Sequence, residues 1–335
     1  MAKPVTRKDV ALSAGVSETI VSYVINNNRY VDKNKRERVE EAIKKLQYRP
    51  NAIARSLKSK KSNHIVFLAD KIDNEHFGKL IQEMESSFYS KGYFISLTGN
   101  RNDDDFIQHI VSRQYDGVII SSISIDEKRI QTLVNAGIPL VVLMNRTYPY
   151  LDESIGKIYP GLLTGAERCV RHLYDGGSRN IIYIDRISER ENFSDMSDLR
   201  LRGYAGEMEK LGLGYNPDNV ITGLRNAEEL AREIRKRFSR KERPDGIFAR
   251  NDNMAAVAMT VLRGMDIKIP EETAVIGFDN SNLSRYTSPA LTTMEINRSL
   301  IASTAVTMME KLMAGEKVSP AELQTKLIIR ESTRS

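Results

Sequence analysis

The sequence predicts an α/β protein: an all-α module of about fifty residues, followed by two doubly wound lobes built on parallel sheets. Three observations predict this. The first fifty residues carry helix caps and apolar residues at helical spacing, with a glycine turn between the first two segments. Beyond residue 63, eight short runs rich in Val, Ile and Leu alternate with amphipathic stretches: "HIVFLAD", "YFISLTGN", "DGVIISS", "IPLVVLMN", "NIIYID", "DNVITG", "DGIFAR" and "TAVIGFD". Such near-continuous apolar strands separated by helices form parallel sheets buried on both faces. The charge divides at the same place. Residues 1–63 hold 15 Lys and Arg against 6 Asp and Glu, a net of +9, whereas the remainder holds 35 against 38.

The front module reads as a unit that meets a polyanion. Thr6, with Asp9 three positions on, starts the first helix as a capping-box variant, and Val10, Ala11 and Ala14 share its inner face. Gly15 ends it, and Ser17 caps the next helix, where Val21, Val24 and Ile25 point inward. A third helix runs from about Asp32, with Val39, Ile43 and Leu46 at helical spacing. Three short helices with a tight first turn make a helix-turn-helix, whose second helix lies in the major groove. Its outward residues are Glu18, Thr19, Ser22 and Tyr23, in "VSETIVSYVINNN". Glu18 suits a cytosine amino group, Thr19 and Ser22 suit bases or a thymine methyl, and Tyr23 a phosphate or base. On spacing alone, a small helical bundle with a solvated face, or one that binds protein, stays open.

Composition limits the other classes. A chain of 335 residues with 41% hydrophobic and 28% charged residues belongs with globular proteins that bury a sizeable core. "MAKPVTRKDV" lacks the apolar run of a signal peptide and no stretch approaches bilayer length, so a cytoplasmic location is expected. Cys169 is alone, in "GAERCVRHLY", and reads as part of a buried helix face. Histidines 64, 76, 109 and 172 are scattered without ligand spacing, so neither metal nor cofactor is expected. "GLG" at 212–214 fails the dinucleotide pattern, and no Walker loop or nucleophile elbow is present. The sequons at Asn192, Asn282 and Asn297 read as chance matches. The chain is expected not to be an enzyme.

The segment "TRKDVALSAGVSETIVSYVINN" resembles the headpiece of the LacI/GalR family of bacterial transcription regulators, and "RPNAIARSL" resembles its hinge. The resemblance continues through "GFDN" and "LTT" to "IIREST", and so covers essentially the whole chain. It implies a headpiece over residues 1–50, a hinge over 51–63 and a periplasmic-binding-protein-like effector core over 64–335. The first lobe of that core is expected at about 64–163 and 293–323, the second at about 164–292 and 324–335. It implies DNA contacts from Thr6, Ser17, Glu18, Thr19, Ser22, Tyr23, Asn26 and Arg29, and from Asn51, Ala54, Leu57 and Lys58 in the hinge. Residues 51–58 are too few to hold a helix alone in water, so this piece is expected to order on docking, with Leu57 wedged between base steps.

Ligands of doubly wound sheets bind beyond the carboxyl ends of the strands. Asn145 and Arg146 follow "VVLM", Asn251 and Asp252 follow "GIFAR", Asp279 follows "VIGF", and Arg200 lies in "RLRGY". With His76 and Phe77, these are the effector-binding residues that the resemblance implies. Asn251 and Asp252 also suit a helix cap, Asp279 a turn and His76 an exposed loop. The expected function is a sequence-specific repressor, homodimeric on a palindromic operator, controlled by a sugar or sugar derivative. The chain ends soon after its last strand without a heptad run, which fits a dimer. A nucleoside, purine or other non-sugar effector stays open, as does a solute receptor without gene regulation. Tyr159-Pro160 stands where many relatives have Asp-Asn, "LRN" at 224–226 replaces a cleft aromatic, and no Trp is present, which weakens a stacking platform for a pyranose.

Overall fold

The computed structural model describes residues 5–49 and 61–334, which fall into two compact units divided after Ser62. In the first unit, α1 (Arg7–Ala14) begins at Thr6, whose hydroxyl accepts from Asp9 N while the Asp9 carboxylate accepts from Thr6 N. Gly15 closes it at φ 60°, the left-handed region that glycine enters without a Cβ clash. Ser17 caps α2 (Glu18–Asn26) and Asp32 caps α3 (Lys33–Lys45). Val10, Ala14, Val21, Val24, Val39, Ala42 and Tyr48 close a small core between them. Arg38 on α3 locks the turn: its guanidinium donates from Nε (2.8 Å) and Nη2 to Ala14 O, and from Nη2 to Gly15 O (2.7 Å).

The second unit holds two six-stranded sheets of matching topology. The first contains β1 (His64–Ala69), β2 (Phe94–Gly99), β3 (Gly117–Ser121), β4 (Leu140–Leu143), β5 (Gly156–Tyr159) and β11 (Ala321–Glu322). The second contains β6 (Ile181–Ile184), β7 (Val220–Ile221), β8 (Gly246–Ala249), β9 (Ala274–Phe278), β10 (Thr292–Ile296) and β12 (Thr325–Ile328). Strand order runs β2-β1-β3-β4-β5 in one and β7-β6-β8-β9-β10 in the other, parallel throughout, with β12 antiparallel on the second edge. Each sheet therefore reverses its winding once, next to β1 and next to β6, and a crevice opens there.

Helices cover both faces. The first lobe carries α4 (Glu75–Ser90), α5 (Asp104–Ser112), α6 (Glu127–Asn135) and α12 (Arg298–Met313); the second carries α7 (Leu162–Asp175), α8 (Leu199–Lys210), α9 (Ala227–Phe238), α10 (Asp252–Arg263) and the short α11 (Leu283–Tyr286). The chain crosses between lobes near residues 160–161, 297 and 323–324. Residues 293–296, expected in the first lobe, instead pair with β9 and β12 in the second sheet, so the return comes after Ile296. Four strands escaped the expected eight. The segments "GKIY" and "TTMEI" and the last two strands are short or polar and lack the long apolar run that marks the other strands. Cys169 is fully buried on α7.

Glycine permits the tightest helix pairing. A Cβ on Gly203 of α8 would sit 2.5 Å from Leu163 O and 2.8 Å from the Ala166 Cβ on α7. Gly203→Ala is therefore expected to destabilise the core by about 1–3 kcal/mol in urea unfolding, because backbone cannot yield as a flexible side chain would. That outweighs the gain of about 0.5–1 kcal/mol from a better helix former. A neutral or stabilising result would refute the close approach.

Candidate functional site

The outer face of α2 presents most of the expected DNA contacts. Ser17, Glu18, Thr19, Asn26 and Arg29 are exposed, while Ser22 and Tyr23 are half-buried. Ser22 Oγ accepts from Asn26 Nδ2 (3.2 Å), and the Arg29 guanidinium lies 5.3 Å from the centroid of the Tyr23 ring. Tyr23 thus packs partly on the headpiece core and holds a cation beside the helix that carries Thr19. Thr6 is exposed and engaged in the α1 cap. Asn51, Ala54, Leu57 and Lys58, expected in the hinge, lie outside the described residues.

In the second unit the strand ends converge on one cleft between the lobes. Its walls are formed by Asp70 after β1, Ser121 on β3, Asn145 after β4, Arg186 after β6, Arg250 and Asn251 after β8, and Asp279 after β9. His76 and Phe77 on α4 and Arg200 on α8 complete it. Of the eight effector residues expected from sequence, six line this cleft: His76, Phe77, Asn145, Arg200, Asn251 and Asp279.

Arg200 is held from three sides. Asp198 caps α8 and accepts from Arg200 N (2.9 Å); the guanidinium lies 4.5 Å from the Phe278 ring centroid; and Nη2 donates to Asp279 Oδ1 (3.1 Å). The side chain is 9% exposed, and its Nε is buried without a hydrogen-bond partner. An orphaned buried donor carries a desolvation cost that a ligand can relieve. Asp279 sits at φ 98°, a left-handed conformation costly for a branched side chain and retained where surrounding structure imposes it. Arg298 donates to Asp279 O and, from Nε, to His76 Nδ1 (3.3 Å). Burial lowers the His76 pKa, against the pull of Asp279 and with help from Arg298 and Arg200. His76 is therefore neutral, with Nδ1 accepting and Nε2–H left to donate.

Two expected residues have other roles. Arg146 does not line the cleft. It donates to Ile123 O (2.7 Å), pairs with Asp195 (3.6 Å) and lies 5.7 Å from the Tyr148 ring centroid, which ties the lobes at the rim. Asp252 is 1% exposed and turned away from the ligand space: it accepts from Ser281 N (2.6 Å) and Thr293 Oγ1 (2.5 Å), binding the loop after β9 to β10. The helix cap is Asn251, which accepts from Met254 N.

Burial raises the Asp252 pKa to about 7, with Asp279 adding and the hydrogen bonds from Thr293 and Ser281 opposing. A carboxyl raised in the fold stabilises the protein below its unfolded value near 4, and that contribution is lost as pH rises through about 7. Asp252→Asn keeps a neutral group of the same shape. Its stability relative to the parent is expected to rise by about 2–3 kcal/mol between pH 5 and pH 8. Parallel stability curves from urea melts would disprove the assignment.

Sequence reasoning missed Asp70, Arg186 and Arg250, although each follows a strand end as Asn145 does. Asp70 and Arg186 form an ion pair across the cleft (3.0 Å), both side chains 11% exposed. Burial alone would raise the Asp70 carboxyl, but Arg186 and hydrogen bonds from Ser122, Ser124 and Ile123 N outweigh it and hold it below its ordinary value. Arg250 is buried in an ionic cluster with Asp198 (2.8 Å), Asp185 (3.5 Å) and Ser194 Oγ (2.9 Å), which braces the long segment between β6 and α8. That segment reaches the first lobe again through Arg190, which donates to Asn100 O (2.7 Å), and through Ser197 O, which accepts from Thr147 N (2.8 Å).

Residues 6–51 match the model for bacterial regulatory proteins of the lacI family, and residues 170–333 match that for a periplasmic binding protein-like domain. The HTH-type transcriptional repressor PurR of Yersinia enterocolitica is 31% identical, over 98% of this chain and 96% of the relative. A lac repressor dimer bound to operator and the anti-inducer ONPF superposes with a TM-score of 0.84 at 23% identity, over 99% of this chain and all of that one. A periplasmic binding protein/LacI transcriptional regulator from Alkaliphilus metalliredigens, complexed with D-xylulofuranose, superposes with a TM-score of 0.67 at 26% identity, over 82% of this chain and all of that one.

Proposed function

Since the chain belongs to the LacI family of DNA-binding bacterial regulators, we propose that it is a homodimeric repressor whose hold on a palindromic operator is set by a sugar or sugar derivative bound between its lobes. The α2 face supplies the base contacts, and residues 51–58 the hinge contacts. The observation that carries the effector half is the cleft: strand ends deliver Asp279 and Asn145, and the first turns of α8 and α4 deliver Arg200 and Phe77, from the two lobes to a single polar space. An Arg fork beside a carboxylate suits vicinal hydroxyls, and a ligand that touches both lobes changes the energy of their relative motion. The regulator from Alkaliphilus metalliredigens, with its bound pentulose, supports a sugar. A nucleobase is the second reading, favoured by Phe77 on the cleft wall.

DNA binding is tested by ionic strength. With six to ten phosphates neutralised, affinity for a promoter duplex is expected to fall about 10³- to 10⁵-fold between 50 and 200 mM salt, by fluorescence anisotropy. A flat dependence would overturn the DNA reading. Effector and operator should change each other's affinity by one common factor, typically ~5- to 150-fold. Titration of each against the other checks this.

A further inference from the structure

Among the four least exposed charged groups that face one another in the cleft, Asp70, Arg186, Arg200 and Asp279, free donors outnumber free acceptors. Asp70 accepts from Ser122 and Ser124 Oγ on Oδ1, and from Ile123 N and Arg186 on Oδ2, which fills a carboxylate's capacity. Asp279 gives Oδ1 to Arg200 and keeps one oxygen. Behind the lining, Asp185 and Asp198 are taken up by Arg250, by Ser194 and by the start of α8. Donors remain. Arg186 uses Nη1 on Asp70, and among the described residues its Nη2 and Nε meet no partner. Arg200 Nε is buried and unpartnered. Asn251 spends its oxygen on the α10 cap and retains its amide protons. Lys71, next to Asp70 in the chain, is exposed on the cleft wall, as is the acidic Asp73 two positions on.

A neutral sugar brings a donor proton with each hydroxyl and needs acceptors from the wall in return. A carboxylate or phosphate brings acceptors alone, and its bonds to guanidinium are short and charge-assisted. We propose that the effector is an anionic polyol, a sugar acid or sugar phosphate, whose hydroxyl end lies on Arg200 and Asp279 and whose acid group is received by Arg186 with Lys71. This rests on the reading of the cleft as the effector site. Arg186 stands on the second lobe and already reaches Asp70 on the first, so an anion on its free edge binds at the contact between lobes. The acid group is thus placed where lobe motion is sensed.

The test uses the full chain and matched probes: ribose against ribose 5-phosphate, glucose against gluconate, and inorganic phosphate alone, followed by calorimetry and thermal shift at constant ionic strength. In at least one pair the anionic member is expected to bind tenfold or more tightly than the neutral one, and inorganic phosphate to raise the melting temperature at millimolar concentration. Arg186→Gln should bring the preference to within about twofold, and Lys71→Gln, an exposed change that leaves the Asp70 pair intact, should lower it severalfold. Neutral members that bind as tightly as anionic ones would overturn the acid-group proposal and leave the cleft reading standing. Failure of every anion to shift the protein would overturn it as well. Binding that survives Arg200→Ala unchanged would instead sink the cleft reading itself.

Discussion

Replacing Arg200 by alanine is expected to abolish the effector response while unliganded protein keeps its grip on DNA. Arg200 is 9% exposed, and its guanidinium meets Asp279 at 3.1 Å over the face of Phe278. Breaking a buried pair by removing one partner typically costs about 3–5 kcal/mol, because the other charge is left uncompensated. The ligand loses its Arg donor, and among the described residues the Asp279 carboxylate loses its hydrogen-bond donor while its backbone stays tied to Met294 O and Arg298. The cost of the broken pair falls on the fold; at the site, a lost hydrogen bond to a charged group is worth about 1.5–3 kcal/mol, and at 1.4 kcal/mol per factor of ten effector affinity falls roughly 10- to 100-fold. The headpiece is a separate compact unit, so basal operator affinity should change little. Anisotropy titrations of the operator complex with effector measure both quantities. A variant that answers its ligand at the parental midpoint would remove Arg200 from the site.

The second large effect is expected at Arg38, which touches no proposed DNA contact. Its guanidinium satisfies Ala14 O and Gly15 O at the turn between α1 and α2. Arg38→Met keeps most of the stem and removes the donors, leaving two carbonyls short of partners at about 1–3 kcal/mol in total after partial solvation. A domain of about fifty residues has roughly 2.5–7 kcal/mol of stability, so this is a large share. The turn also sets the angle at which α2 presents Glu18, Thr19 and Asn26. Operator affinity should therefore fall at least tenfold, with an earlier headpiece transition in urea and unchanged effector affinity. Gly15→Val should behave alike, since its Cβ would meet Arg38 Nη2 at 2.8 Å at φ 60°. Wild-type operator affinity in Arg38→Met would show that the turn needs no such clamp.

Much of the headpiece is legible because its determinants are local. Thr6, Asp9, Gly15, Ser17 and Asp32 act within one helical turn of themselves, and caps and periodic apolar residues read the same from sequence as from coordinates. Arg38 is different: 23 residues separate it from Gly15, and nothing near it in the chain announces its partner. In the core, the Val- and Ile-rich runs mark the buried central strands. "TTMEI" does not declare itself, because Thr292 and Thr293 are buried only through hydrogen bonds to Thr333, Asp252 and the last turn of the chain.

The cleft divides in the same way. Asn145, Asn251 and Asp279 are readable because a parallel strand exposes whatever follows its carboxyl end. Which of two neighbours faces the ligand is settled by packing. Gly277 leaves room for Asp252, whose carboxylate turns inward to Thr293 and Ser281 while Arg250 turns to Asp198 and Asp185. By itself the sequence determined the order of elements, the basic reading head and the strand ends that carry polar residues, because local sterics and apolar periodicity act over a few residues. Only the tertiary structure decided that Asp70 meets Arg186, that Asp252 is buried and that Arg200 keeps an unused donor. Those are pairings between chain positions 29 to 116 residues apart, and a charge chooses its partner by distance in space, which the linear spacing of residues does not encode.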